Sequence, residues 1–170
     1  NRVAWPLPGR VTCRTDAPER LPYVKCGRCR RRGRHVGTPR AIAMWIYSDD
    51  EGATWKESKN WWGLPVASGS GLQEPGLVQC PDGSLFAWCR TDQRAQYGFV
   101  SRDDGMTWSA PQPTMLTSPN SPASIKRVPN SDTLMVVYND HSGRVPAPEK
   151  LTQRAPLVAA FSTDGAKTWG

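Results

Sequence analysis

The sequence lacks the long apolar runs and the helical periodicity on which several classes of protein depend. It has no run of about 18 apolar residues, so it contains no transmembrane helix. It has no charged start followed by an apolar stretch, the pattern of a signal peptide. The 15 glycines, the 16 prolines and the lack of a long apolar repeat at a period of 3.6 argue against a helical bundle.

Acidic residues are scarce at the start of the chain. Residues 1–40 hold 11 of the 22 Lys and Arg residues but only Asp16 and Glu19, which makes that segment +9, whereas residues 41–170 carry 11 basic and 13 acidic side chains, or −2. The net charge of +7 therefore comes from one segment and is densest over Arg28–Arg34. A nucleic-acid interface would rest on this single charge run. We expect no nucleic-acid partner.

Cysteine is too sparse for a zinc centre or a disulfide scaffold. Cys26-Gly-Arg-Cys29 stands without a second such pair, and His35 alone does not complete the four ligands of a structural zinc site. Cys80 and Cys89 lie in one predicted hairpin, at an offset too large for the Cα separation of a disulfide. An odd total of five cysteines also fits a disulfide framework poorly. We expect neither a metal nor a cofactor.

The chain does contain an eight-residue motif in three copies. Residues 48–55 and 101–108 both read S-x-D-x-G-x-T-W, and residues 162–169 differ only because Gly165 comes one place early. Asp and Gly favour a tight turn, and each copy follows a short β-rich run. We therefore expect each copy to be the turn of a β-hairpin that follows one of three strands, Ala41–Tyr47, Gln96–Val100 and Leu157–Phe161.

The repeated turns carry Asp50, Asp104 and Asp164, which could point to calcium binding or catalysis. We expect a structural role instead, because Asp can bond the backbone of its own turn. The Trp that ends each copy offers a large apolar face, which we expect to pack between neighbouring units.

Two further hairpins complete the repeating unit. Gly76–Cys80 joins Leu85–Arg90 through Pro-Asp-Gly-Ser, and Ala123–Val128 joins Thr133–Asn139 through Pro-Asn-Ser-Asp. Four strands in each repeat of this length are typical of propeller blades. The sequence therefore predicts an all-β fold, a partial β-propeller of about two and a half four-stranded blades. Its uncovered blade edges favour self-association.

One edge of the predicted blades gathers a carboxylate and two guanidiniums. If Asp82-Gly83 is a two-residue loop, Glu74 and Arg90 meet at the open end of that hairpin, although strict alternation places them on different faces. Arg154 precedes the third strand of the next blade, at the same edge. Two guanidiniums suit a planar carboxylate ligand. The alternative is a salt-bridge network without a ligand.

These residues resemble the sialidase (neuraminidase) superfamily, specifically its bacterial Asp-box sialidase-like proteins. The repeated turn resembles the Asp box, or BNR repeat. Two spacings are more specific. Glu74 precedes Arg90 by 16 residues across an Asp-Gly hairpin, and Arg154 precedes the Trp169 of a later Asp box by 15 residues, and both spacings resemble those of active-site residues in the family. Ser118–Arg127 resembles the stretch between the two arginines. The resemblance covers residues 41–170 well and residues 1–40 poorly.

The resemblance implies a six-bladed propeller and an exo-α-sialidase-type glycosidase that releases terminal sialic acid, or a related acidic sugar, with retention. It assigns Arg90 and Arg154 to the substrate carboxylate and Glu74 to the activation of a Tyr nucleophile. It places that Tyr after Trp169, and the general-acid Asp and the first arginine in earlier blades. We therefore expect the chain alone to be inactive. Sialylated or other acidic glycans are the implied partners, no membrane is implied, and a secreted or periplasmic location is favoured.

Two questions stay open from the sequence. Residues 1–40 match no blade of the predicted propeller. Three interpretations of this segment are open: a divergent insertion, a disordered basic tail or a frame-shifted translation. We favour the last two. The whole chain is alternatively part of a non-catalytic carbohydrate-binding or interaction propeller that kept the fold without the chemistry.

Overall fold

The computed structural model describes residues 21–28, 40–65, 67–146 and 154–170. These ranges contain ten strands and no helix. They therefore contain no helix that could span a membrane. The strands are β1 (Leu21–Arg28), β2 (Ala41–Ser48), β3 (Lys56–Glu57), β4 (Gln73–Gln79), β5 (Leu85–Arg90), β6 (Ala95–Ser101), β7 (Gln112–Thr117), β8 (Ser124–Arg127), β9 (Leu134–Asn139) and β10 (Leu157–Ser162).

The strands form three antiparallel sheets, and the prediction of an all-β partial propeller is confirmed. The first sheet has the order β1-β2-β3, the second β4-β5-β6-β7 and the third β10-β9-β8. Ten strands equal two and a half four-stranded blades, distributed as three, four and three. The sequence did not predict β1, which lies within residues 1–40 and pairs along its whole length with β2. The proposed boundary at residue 40 stays a prediction, and Cys29 and His35 lie outside the described residues.

The central strand β5 of the second sheet is buried on both faces, because it lies between the other two sheets. Along β5, Leu85, Ala87 and Cys89 pack with the first sheet, while Phe86 and Trp88 pack with the third. A strand covered on both sides is apolar at consecutive positions rather than at alternate ones, as β5 is here. Cys80 and Cys89 pack on different faces of this sheet and do not form a disulfide with each other.

A carboxylate closes each repeated turn, as expected. In the first turn Asp50 accepts hydrogen bonds from the Thr54 amide at 2.8 Å and the Thr54 hydroxyl at 2.5 Å, and it accepts a third from the Ser48 hydroxyl. In the third turn Asp164 holds Thr168 and Ser162 in the same way.

The second turn corrects one residue of the prediction. Asp103, not Asp104, accepts the bonds from Ser101 and from both Thr107 donors, at 2.6–2.9 Å. Asp103 occupies the third place of the motif, four residues before the Thr. Asp104 instead takes the left-handed turn conformation before Gly105, with φ of 55°.

The expected packing of the Asp-box tryptophans between blades holds for two of the three. Trp108 is 3% exposed between the first and second sheets and stacks on Trp45 at 4.6 Å. Trp169 is 4% exposed in the cluster between the second and third sheets. Trp55 directly precedes β3 of the first sheet and is 42% exposed, because the described part of the chain places no further sheet beyond the first one.

The register of the β4–β5 hairpin differs from the expected one by one residue. Gly76 pairs with Trp88 and Gln79 with Leu85, because the loop has three residues, Pro81, Asp82 and Gly83, rather than two. Gly83 adopts φ of 82°, and its amide donates to the Cys80 carbonyl. A three-residue loop ending in a left-handed Gly is a common hairpin connection. Before Gly76 the register shifts again at a bulge, so that Arg90 pairs with Gln73, the neighbour of Glu74.

Candidate functional site

Arg90 points toward the third sheet because of its place in β5. It follows Trp88 by two residues, and residues two apart on a strand share a face. Its side chain is 17% exposed, so the guanidinium is largely removed from water and needs polar partners.

Glu74 supplies one of those partners from an irregular part of β4. A bulge between Gln73 and Gly76 adds one residue to this strand relative to β5, and Glu74 sits in it with φ of 48°. Its Oε2 lies 3.1 Å from Arg90 Nε, an ion pair whose angle falls short of a hydrogen bond. Glu74 keeps 51% of its side chain exposed, so the carboxylate is also open to a ligand.

Arg154 enters the same site from the start of β10. Its carbonyl accepts a hydrogen bond from Asn139 Nδ2 at 2.7 Å. The next two carbonyls, of Ala155 and Pro156, meet the His141 ring at 3.0 Å and the Asp140 amide at 3.1 Å. The backbone at Arg154 is therefore fixed to the end of β9, while its side chain stays exposed.

The two arginines meet at one acceptor, the carbonyl oxygen of Asn120. Arg90 Nη1 donates to it at 3.3 Å and Arg154 Nη2 at 3.5 Å. Asn120 lies in the connection between β7 and β8, so the site joins the second sheet to the third. A carboxylate oxygen is a stronger acceptor than this neutral carbonyl, because its bonds to guanidinium are charge-assisted. The geometry can therefore bind a planar anion.

A second network fixes the chain that leads to Glu74. The Asp92 carboxylate accepts from Ser68 Oγ at 2.6 Å, from the Gly69 amide at 2.6 Å and from the Ser70 amide at 2.9 Å. Burial raises the pKa of Asp92, but these bonds and one from Gln93 outweigh burial and lower it to about 2. The loop before β4 is thus tied to the β5–β6 connection, two residues beyond Arg90.

Neither of two tyrosines near this edge is placed as an activated nucleophile. Tyr138, at the end of β9, is 1% exposed and belongs to the core between the second and third sheets. Burial, followed by the charge of Asp140, raises the pKa of its phenol. A nucleophilic phenol needs the opposite shift. Tyr97 lines a cavity of about 360 Å³ beside Trp62, away from the two arginines.

The structure brings together Glu74, Arg90 and Arg154, the three residues chosen from the sequence. Sequence analysis missed Asn120, although it lies in the stretch that resembles the family, because a backbone carbonyl leaves no signature in the sequence. Among the described residues, no cluster of three or more His, Cys, Asp or Glu side chains is placed to hold a metal ion.

Known proteins resemble this chain in both sequence and fold. The sequence profile of the BNR repeat-like domain matches residues 27–170. A crystal structure of a protein of unknown function from Dyadobacter fermentans superposes with a TM-score of 0.54 at 24% identity, covering 71% of this chain and 31% of that one. No curated protein sequence matches the chain.

Two sialidase structures have the same fold. The Trypanosoma rangeli sialidase with 2,3-difluorosialic acid as a covalent intermediate has a TM-score of 0.56 at 16% identity, covering 85% of this chain and 22% of that one. The NanB sialidase of Streptococcus pneumoniae has a TM-score of 0.51 at 18% identity, with 91% and 21% covered. This chain therefore spans between a fifth and a third of these three relatives. Because the profile covers most of its length, the chain belongs to the BNR repeat-like domain family.

Proposed function

We propose that this chain is part of an exo-α-sialidase-like glycoside hydrolase that acts on terminal sialic acid or a related acidic sugar. The observation that carries the proposal is the meeting of two guanidiniums, from Arg90 and Arg154, at one acceptor beside the Glu74 carboxylate. The fold it shares with two sialidases supports it.

In this proposal Arg90 and Arg154 bind the carboxylate of the sugar. The ligand oxygens accept from guanidinium N–H groups that the Asn120 carbonyl does not occupy, since each arginine carries five such donors and gives one nitrogen to Asn120. The planar guanidinium matches the geometry of a carboxylate and cannot lose its charge at physiological pH. Arg90 is already held in place by burial and by Glu74, so little of its conformational freedom is lost on binding.

Glu74 has a different role in the proposal, the activation of a phenol. Most retaining glycosidases use a carboxylate nucleophile, and sialidases use a Tyr. The anionic centre of sialic acid repels a carboxylate, so a neutral phenol attacks and a neighbouring Glu takes its proton. The ion pair with Arg90 orients Glu74 while half of its side chain stays exposed to accept that proton.

The second candidate function is carbohydrate binding without hydrolysis. One observation favours it: the described residues supply an anion-binding pair of arginines, whereas Tyr138 is buried in the core and Tyr97 lines a separate cavity. The tyrosine nucleophile and the acidic residue that complete a sialidase site are not assigned in this chain. Binding is therefore the first property to test, and turnover the second.

The test is calorimetric binding of a methyl α-sialoside to the 170-residue chain. Replacing either arginine with Ala removes charge-assisted hydrogen bonds of about 1.5–3 kcal/mol, which weakens binding roughly 10- to 150-fold. Arg102→Ala is the matched control, because Arg102 is exposed and pairs at 4.0 Å with Asp82 at the opposite edge. The methyl ester of the ligand lacks the carboxylate charge. It should bind the unmodified chain about as weakly as the acid binds the arginine variants. Equal affinity for acid and ester would contradict the proposal.

A further inference from the structure

We propose that Gln96 is a positioning residue for the arginine pair. It holds the connection between β7 and β8 so that the Asn120 carbonyl sits between Arg90 and Arg154. The inference rests on the proposed function, since it assigns a support to the same anion site. Gln96 hydrogen-bonds to neither arginine, and it acts through the loop.

The contacts of Gln96 bracket Asn120 on both sides. Gln96 lies at the second position of β6 and is fully buried. Its Nε2 donates to Ser118 Oγ at 2.9 Å and to the Ser121 carbonyl at 2.8 Å. One side-chain amide thus fixes the loop two residues before Asn120 and one residue after it.

The rest of the loop is held at its ends and by one bond across Asn120, from the Ser121 amide to the Pro119 carbonyl at 2.6 Å. The Ser118 amide donates to the Arg94 carbonyl at 3.1 Å, and Trp88 Nε1 donates to the Ala123 carbonyl at 3.0 Å. The bond across Asn120 shapes the turn locally, and the two Gln96 contacts tie that turn to β6. The position of the Asn120 carbonyl relative to the two guanidiniums therefore depends on Gln96.

Gln96 is also an unusual choice for stability alone. Its Oε1 and the Ser121 Oγ are both buried, and neither has a hydrogen-bond partner. Buried polar atoms are nearly always paired, and an unpaired one opposes folding. An apolar side chain of similar size removes the unpaired Oε1, but it leaves the Ser118 hydroxyl and the Ser121 carbonyl without their donor, so some loss of stability is expected for any role of Gln96. The test therefore measures the arginine pair itself rather than stability.

The experiment compares two variants of the 170-residue chain by NMR without ligand. Gln96→Met keeps the volume and removes both bonds to the loop. Ser101→Ala is the matched control, because Ser101 is buried at the other end of the same strand and bonds the Gly105 amide at the opposite edge. The measured quantity is the hydrogen-exchange rate of the Arg90 and Arg154 guanidinium protons, assigned through Arg→Lys variants.

We expect Gln96→Met to raise both guanidinium exchange rates by about five- to tenfold, as for the loss of one net hydrogen bond, and Ser101→Ala to leave them unchanged. If Gln96→Met does not fold, Ser118→Ala removes one of the two bonds and should raise the rates by a smaller factor. Unchanged rates in the folded Gln96 or Ser118 variant would overturn the inference, as would an equal rise in the Ser101 variant.

Sialoside affinity, measured on the same samples, separates this inference from the proposed function. We expect Gln96→Met to bind the methyl α-sialoside about five- to tenfold more weakly than the unmodified chain. If the unmodified chain does not bind the sialoside, the proposed function fails, and the exchange rates still decide the role of Gln96. If it binds and Gln96→Met binds equally well, the positioning role is refuted.

Discussion

Glu74 reaches Arg90 from a left-handed backbone conformation: its φ is 48°, and its Oε2 lies 3.1 Å from the Arg90 Nε. Residues other than Gly adopt this conformation at a cost, and such strain is concentrated at functional sites. The bulge that contains Glu74 follows a loop tied by Asp92, so the surrounding structure maintains the strained geometry.

The strain at Glu74 predicts unequal stabilities for two small substitutions. Glu74→Ala removes the ion pair and keeps the unfavourable φ, whereas Glu74→Gly removes the ion pair and relieves the strain. Left-handed backbone costs a non-Gly residue about 1–2 kcal/mol, so the Gly variant should be the more stable by about that amount. Urea unfolding of both variants measures the difference. An Ala variant as stable as the Gly variant would show that the backbone at Glu74 is not strained.

The proposed chemistry predicts binding without turnover by this chain. Glu74 has no assigned phenol to activate, and Tyr138 is buried with its pKa raised by desolvation. An aryl sialoside assay with purified chain should show no release of the aryl alcohol above background. Turnover that persists in Tyr138→Phe but is lost in Tyr97→Phe would place the nucleophile at Tyr97 and refute this prediction. In a longer protein that is active, Glu74→Gln should lower kcat.

The Asp-box turns predict a loss of stability in acid. The hydroxyl of Thr54, then its amide, lowers the pKa of Asp50 from 3.8 to about 2, and the Thr168 hydroxyl and amide lower that of Asp164 to about 2. A carboxyl with a depressed pKa in the folded state stabilises the fold above the unfolded pKa, and that stabilisation disappears as the pH falls through the folded pKa. The urea midpoint should therefore be flat from about pH 8 to 5 and should fall between about pH 4 and 2. Asp50→Asn should flatten the acid limb, and an unchanged limb would contradict the assignment.

The unequal burial of two equivalent tryptophans predicts unequal effects of their removal. Trp108→Ala removes a side chain stacked on Trp45 and should cost about 3–5 kcal/mol of unfolding free energy. Trp55→Ala, at the same place of the first motif, should cost only a small fraction of that, because Trp55 is 42% exposed. Thermal or urea unfolding of the pair tests this. Similar losses for both would show that Trp55 is also packed.

The apolar face of β10 predicts self-association. Leu157 is 69% exposed and Phe161 49% exposed on the same face of this strand, which is last in the order of its sheet. Exposed apolar faces and strand edges favour pairing between chains. Sedimentation should show assembly that increases with concentration and is reduced by Phe161→Ser. Met115→Ser, at an equally exposed position of β7, is the control and should leave it unchanged. A monomer at every concentration would refute the prediction.

The sequence predicted most of the fold because its signals are local. The three S-x-D turns and the hairpin turns fix where nine of the ten strands begin or end, through bonds between residues at most four apart. The tenth, β1, was missed because its residues show no alternation, and its pairing with β2 is the interaction that defines it. The predicted hairpin register was wrong by one residue. The residues around Asp82-Gly83 are compatible with a two-residue or a three-residue loop, and the backbone dihedrals of the folded turn decide between them.

The sequence by itself determined that Glu74, Arg90 and Arg154 lie at one edge of neighbouring sheets, because strand direction follows from the hairpins. Only the tertiary structure decided how they meet. The bulge at Glu74 gives that residue its contact with Arg90, and the Asn120 carbonyl, which no residue type encodes, joins the two arginines across sheets. Such contacts depend on the packing of one blade against the next, and their partners lie 16–34 positions apart in the chain. The alternation of residues within a single strand carries no information about contacts at such separations.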